Sequence, residues 1–378
     1  MSNSTILLWL LVAASLRAQV PQVQVESLPE PGLQPQVAMT AGRMVHLVYL
    51  KGDPKACDIR YTVRSAKGGT WSAPITVNSR PLSAIAAGTI RGAQIALGKE
   101  DSVQVVWNGS TEAKQNGETQ APLLHARLLP GMKEFSPQKN LLGNTTALDG
   151  GASICASIKG RVAVVWHAAP LGKSDESARL VWVRYSDDDG STFSNATPLN
   201  EKRPGVCACC SLRAHLAVDG KLSVLYRAAP SPDERGMWLI EAAAGPISLK
   251  KLDDWRIAMC PMSSASFVSS DGELRAAWEN DGQIVTGVIN ATTKPQKLGT
   301  KSAKHPSLAG NAKGQTLVSS IIGSGWSKAG TLHWDLLDDK GQVTASGDGP
   351  KLPVWSYAAT YARPDGSFVV LQQICYSI

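Results

Sequence analysis

Along most of this chain, apolar and polar residues alternate one for one in short runs broken by glycine-bearing turns, the period of β-strands rather than helices. The clearest runs are residues 161–166 (RVAVVW), 221–226 (KLSVLY) and 273–278 (ELRAAW), each following a turn. Helical spacing is nowhere sustained. A pair of such strands, joined by a turn and ending in an aromatic or aliphatic residue, recurs seven times, at 37–49, 93–107, 152–166, 212–226, 264–278, 306–320 and 357–371. Successive copies begin roughly 40 to 60 residues apart, which leaves room for two further strands and a loop in each. That arrangement predicts an all-β fold, a single β-propeller of four-stranded blades. Seven blades follow from the count, with six as the alternative because the copies beginning at Pro306 and Tyr357 are the weakest. The last copy is too close to the end of the chain to complete a blade. Residues 20–28, with Val23, Val25 and Leu28 in alternation, are predicted to supply its outer strand and close the ring, which removes free sheet edges.

Composition agrees with a folded, turn-rich protein: 43% of the 378 residues are hydrophobic and 18% charged, with 34 glycines and 22 prolines. Residues 1–18 carry an apolar run from Ile6 to Leu16 and end at a small Ala18, the pattern of an export signal. The propeller domain is then 19–378 and the protein is secreted or periplasmic. No later stretch reaches the length of a membrane span. The net charge of +7 is spread over scattered lysines and arginines without interleaved aromatics, which argues against nucleic acid as a partner.

One turn carries a family resemblance. Residues 185–193, YSDDDGSTF, resemble the Asp-box of sialidase-like BNR-repeat propellers, with Ser186, Asp188, Gly190, Thr192 and Phe193 at the motif positions, and residues 65–71, SAKGGTW, resemble a shortened version without the aspartate. The box is a folding device: its aspartate caps backbone N–H groups, its glycine takes a positive φ and its aromatic anchors the turn. The resemblance implies a carbohydrate or small polar ligand bound at the mouth of the channel. Sialidases hold the substrate carboxylate with three arginines and use a tyrosine nucleophile paired with a glutamate. The early Arg-Ile-Pro motif of that family is missing here, since Arg43, Arg60, Arg64 and Arg80 all lie in other settings.

The repeat register singles out the residue after each second strand, which is expected at one face of the ring: Asn108, His167, Arg227, Glu279 and Gln372. Together they offer amide, imidazole, guanidinium and carboxylate groups to a ligand. The plain alternative is that strand ends are polar because they meet water. An enzyme at the same mouth, a glycoside hydrolase of exo-sialidase type or a lyase, would use Glu279 with Arg227 and His167.

Seven cysteines, an odd number, leave at least one unpaired within the chain. Cys207, Cys209 and Cys210 precede the first strand of the fourth copy, Cys260 with Met259 and Met262 precedes the fifth, and Cys155 lies in the first strand of the third. If first strands line the channel, these five sulfurs converge on the face that receives His167. Three chemistries fit. Disulfides, such as one from Cys207 or Cys209 to Cys260 or a vicinal Cys209–Cys210 bridge, would staple blades at roughly 2–4 kcal/mol each. A copper or zinc site would use the thiolates, the Met259 and Met262 thioethers and His167. A redox-active thiol would draw on Arg203, Arg213 or Arg227 to lower its pKa.

Overall fold

The computed structural model describes residues 22–41, 44–88, 90–115, 117–201, 205–270, 272–289 and 294–373. The proposed export signal, Arg43, Arg203 and Cys375 lie outside the described residues. Seven sheets are arranged as a seven-bladed propeller, and each of the seven repeats forms the first two strands of one blade. Blade I runs Leu33–Thr40, Met44–Asp53, Ala56–Ser65 and Ile75–Thr76, each antiparallel to the next. The two weakest copies form full blade cores, Ala303–Gly310 with Thr316–Ile322 and Ala359–Ala362 with Phe368–Gln372. First strands pack side by side around the axis, and Ala359–Ala362 of blade VII returns to Leu33–Thr40 of blade I.

The N-terminal strand Val23–Ser27 closes the ring by pairing with Phe368–Gln372, in register Val23 to Phe368 and Ser27 to Gln372. It runs parallel to its neighbour, whereas the third strands of the other blades are antiparallel to theirs. A strand arriving from the opposite end of the chain needs no hairpin, so the direction is free.

Second strands are buried on both faces, because one face packs on the preceding blade and the other on the following one. Val103–Asn108, Leu222–Arg227 and Phe368–Gln372 contain no exposed position. The ring of each closing aromatic is fully enclosed, and its polar tip ties the segment leading into its own blade. Trp107 donates to the Ser83 carbonyl (3.3 Å), Trp166 to the Thr145 hydroxyl (3.2 Å) and Trp278 to the Asp253 carboxylate (2.6 Å).

The Asp-box of blade III has the geometry its residues imply. Asp188 accepts from the Thr192 N–H (2.8 Å) and hydroxyl (2.6 Å), the Gly190 N–H donates to Ser186 Oγ (2.8 Å), and Gly190 holds φ +78°. Phe193 stands edge-on to His125 of blade II at 4.9 Å between ring centres. The hydrogen bonds from Thr192 and Ser186 hold the Asp188 carboxyl down at about 2. Asp188→Ala is expected to cost about 1 kcal/mol, the usual value of a lost backbone cap, measured as a shift in denaturant midpoint. Because the folded pKa is depressed, that contribution is present above about pH 4 and fades as pH falls toward 2, so the variant and the parent should converge in strong acid.

Candidate functional site

Three groups of residues converge at the face where first strands begin: the predicted ring, the axial cavity and the cysteine cluster. The five ring residues are all buried, at 3% exposure or less, so they are not polar because they meet water. Four of them reach toward the next blade. Asn108 Nδ2 donates to the carbonyls of Asp149 (3.1 Å) and Gly150 (3.0 Å), ahead of blade III. His167 Nε2 bonds the Cys210 carbonyl (2.7 Å), ahead of blade IV. Arg227 donates to the carbonyls of Arg235 and Glu279 (both 2.6 Å) and stacks on Trp255 at 4.8 Å. Glu279 faces Lys304 of blade VI at 3.7 Å. The fifth, Gln372, has neither side-chain polar atom bonded.

Hydrogen bonding fixes the protonation state of one of these residues, His167. A carbonyl only accepts and a guanidinium only donates. Since His167 Nδ1 faces Arg179 Nη2 (3.1 Å) while Nε2 faces a carbonyl, the ring is the neutral Nε2–H tautomer. Burial, with Arg179 alongside, holds its pKa down at about 4. The contact depends on Gly150, where a Cβ would fall 2.1 Å from the Cys210 oxygen and 2.2 Å from His167 Nε2. Glu279 keeps Oε2 buried without a partner, and burial raises its pKa against the pull of Lys304 and Arg227.

The space on the axis is lined by the first strands, as the repeat register requires, and not by the five ring residues. It is a cavity of about 190 Å³ with Gln36, Gln94, Arg213, Ser264, His305 and Tyr357 among its walls. Tyr357 OH accepts from Gln36 Nε2 (3.1 Å) and bonds Gln94. His305 bonds Ser264 Oγ through Nδ1 (3.3 Å) and stacks on the Tyr357 ring at 6.2 Å. It sits on a register break in the first strand of blade VI at φ +54°, a left-handed conformation that turns its side chain to the axis. Arg213 spends only Nε on the protein, donating to the Ala265 carbonyl (3.1 Å), and burial lowers its pKa. No carboxylate is within ion-pair distance of it among the described residues. Apart from Arg213, named only as a neighbour of the thiols, these wall residues escaped the sequence reading. Their signal was a polar residue in a first strand at a position facing the axis.

Of the five sulfurs predicted to converge, the structure brings three together. Cys207 Sγ lies 3.5 Å from Cys209 Sγ and 3.4 Å from Cys210 Sγ. These are contacts between thiols, and all six described cysteines are free, so neither the vicinal bridge nor one to Cys260 is formed. Cys155 packs instead in the apolar cluster between blades III and IV with Val181, Leu212 and Ala214. Cys260 and Met259 are exposed, and Met262 lines a small void with Lys304 and His305. His167 touches the cluster through the Cys210 carbonyl, and both its ring nitrogens are engaged. Within the trio, hydrogen bonds from Cys207 and Cys209, the Arg227 charge and the Ser263 N–H outweigh burial and lower the Cys210 pKa, while Cys209 is raised by its two thiol neighbours.

No family model matches the chain, and no curated protein matches it. Solved structures do. A protein of unknown function from Dyadobacter fermentans superposes with a TM-score of 0.51 at 15% identity, covering 84% of this chain and 93% of that one. The α-L-arabinofuranosidase of Fusarium graminearum, of the GH93 group, gives 0.50 at 9% identity over 81% and 93%. Trypanosoma rangeli sialidase gives 0.50 at 12% identity over 78% of this chain and 53% of its own. At these identities the likeness concerns the fold, and it agrees with the Asp-box: this chain is a seven-bladed β-propeller of the sialidase-like fold.

Proposed function

We propose that this is an exported carbohydrate-recognition propeller that takes a small acidic ligand, a single sugar ring bearing a carboxylate, in the axial cavity. The observation that carries it is Arg213, a guanidinium on the cavity wall with two amino groups unspent and no carboxylate partner among the described residues. Arg213 is half-buried, and a guanidinium drawn that far out of water is retained where something pairs it. A cavity of about 190 Å³ is below the usual range for drug-sized ligands, and Gln36, Gln94, Ser264 and Tyr357 offer the donors and acceptors that hydroxyl groups need. Export rests on the pattern of residues 1–18, and sequencing the N-terminus of secreted protein tests it.

Binding is favoured over hydrolysis because no Asp or Glu lines the cavity among the described residues, whereas most glycosidases act with a pair of carboxyl groups flanking the bond and sialidases pair their tyrosine nucleophile with a glutamate. The sialidase-like neighbours support the ligand class through the fold they share with this chain. Calorimetry with N-acetylneuraminate and glucuronate against their neutral counterparts should show saturable binding of the acids alone, without turnover. Arg213→Met should weaken it by at least about 30-fold, the cost of removing one side of a buried charge pair, while Asn108→Ala leaves it nearly unchanged. Equal binding of neutral sugars, or no saturation with any acid, would sink this reading. Turnover that disappears in Glu279→Gln would replace it with the hydrolase.

A further inference from the structure

We propose that Cys207, Cys209 and Cys210 form a three-coordinate site for a soft monovalent metal ion, Cu(I), in the loop that leads into blade IV. The three Sγ atoms lie within 4.8 Å of one another, so one ion can contact all three. The loop that carries them is fixed from several sides. The Cys207 N–H donates to the Arg227 carbonyl (2.9 Å), the Ala208 N–H to Glu176 Oε1 (2.8 Å), and the Ser211 N–H to the Ser263 carbonyl (3.1 Å). Cys207 and Cys210 are buried and Cys209 is partly exposed, which leaves one side open for an ion to arrive.

The second observation is the balance of buried charge around the sulfurs. Four cations stand near the loop, and two have their own carboxylates: Arg235 pairs with Glu176 (2.9 Å) and Lys304 with Glu279 (3.7 Å). Arg179 and Arg227 have no carboxylate within ion-pair distance among the described residues, although Asp149 and Glu176 act on Arg179 from farther off. Their amino groups donate to carbonyls and to His167, and their charges act on the cysteines. Three thiolates around a monovalent ion carry a charge of two minus, which two unpaired guanidinium groups neutralise.

Donor chemistry selects in the same direction. Zinc sites are tetrahedral, and here the protein supplies no fourth ligand, since both His167 nitrogens are occupied and both Glu176 oxygens are bonded elsewhere, so zinc would have to complete its shell with water. An all-sulfur set of three suits Cu(I), which accepts low coordination by thiolates. Binding breaks only S–H bonds: protons still on the trio pass to solvent as the metal–sulfur bonds form, and no electron moves. The site is independent of whatever occupies the axial cavity.

The test is an anaerobic titration of the reduced full chain with Cu(I) buffered by a chromophoric chelator, followed by X-ray absorption. The expected result is one high-affinity equivalent with three sulfur neighbours at about 2.3 Å, an ordinary thiolate–metal distance. Cys207→Ser and Cys209→Ser should each weaken binding by at least about 100-fold, beyond the effect of an outer-shell change, while Cys155→Ser and Cys260→Ser retain it. Because a core cysteine variant could fail to fold, silver(I), a redox-inert substitute, is also titrated into the unaltered protein and counted by native mass spectrometry, with one ion expected. The proposal is overturned if the unaltered protein binds neither ion tightly, if Cys207→Ser binds Cu(I) as the parent does, or if zinc competes with Cu(I) on equal terms.

Discussion

Deleting residues 1–28 should leave a chain that does not hold the closed ring, read as a loss of soluble monomer and of a cooperative unfolding transition. The strand Val23–Ser27 is the third strand of blade VII, and without it Phe368–Gln372 becomes a bare edge of sequence FVVLQ, the exposed apolar edge that folded proteins avoid. The loss includes buried Leu28, the half-buried Val23 and Val25 that pack against blade VII, and the backbone bonds Phe368 N–H to Gln22 O (2.8 Å) and Leu28 N–H to Gln372 O (3.1 Å). It also removes Glu26, whose carboxylate joins Arg64 of blade I (2.5 Å) to Arg363 of blade VII (2.6 Å) across the seam. Burial of the leucine alone is worth about 1.5–3 kcal/mol, and with the hydrogen bonds the total is about 5 kcal/mol, comparable with the whole stability of many domains. Comparing chains that begin at residues 22 and 29 isolates the strand from the segment before it. An unchanged denaturation midpoint in the shorter chain would show that the ring closes without this strand.

Mild acid should unfold the protein well above the pH at which its carboxylates titrate. Burial holds His125 down at about 3, His167 at about 4 and His305 at about 3, helped by Lys139, Arg179 and Lys304 respectively. Between an unfolded pKa near 6.5 and these values, the unfolded chain binds protons that the folded one refuses. Stability therefore falls as pH drops through that window and levels off below it. Each group contributes on the order of 3 kcal/mol, so three together rival the stability of the fold. His333 works in the opposite sense, since Asp335 and Asp348 raise its pKa and its contribution is present at low pH and lost as pH rises. Denaturant midpoints measured from pH 7 to pH 4 should fall steeply, and His125→Gln with His167→Asn should flatten the slope. A slope unaffected by the double variant would mean that these imidazoles do not set the acid limit.

Much of the fold was legible in one dimension because a propeller repeats one local unit. Each copy spells strand, glycine turn and strand, and neighbouring blades differ mainly by translation along the sequence, so seven weak signals reinforce one another. The closing strand was readable for the same reason: the last copy ended too early and residues 20–28 alternated. The Asp-box residues were readable because their bonds, Ser186 to Gly190 and Asp188 to Thr192, are local.

The site was less legible because its contacts run between blades. The repeat singled out Asn108, His167, Arg227, Glu279 and Gln372 as following the second strands, and the structure places them within those strands. Whether Asn108, His167 and Arg227 face a ligand or tie one blade to the next depends on what the following blade places opposite them, and the carbonyls of Gly150, Cys210 and Glu279 carry no sequence signal. The cysteines divide in the same way. Repeat register brought five sulfurs to one region, and side-chain direction then separated them, sending Cys155 into apolar packing and leaving Cys260 exposed while the turn at 207–210 gathered the other three.

The sequence by itself determined the period, the closure of the ring and the turn chemistry, which follow from local backbone preference and alternation, while the structure decided seven blades over six. Only the tertiary structure decided which polar groups face the axis and which cations remain without an anion. Arg213 on the cavity wall, and Arg179 and Arg227 beside three thiols, are defined by partners that lie a blade away and by the lack of a carboxylate within ion-pair distance among the described residues.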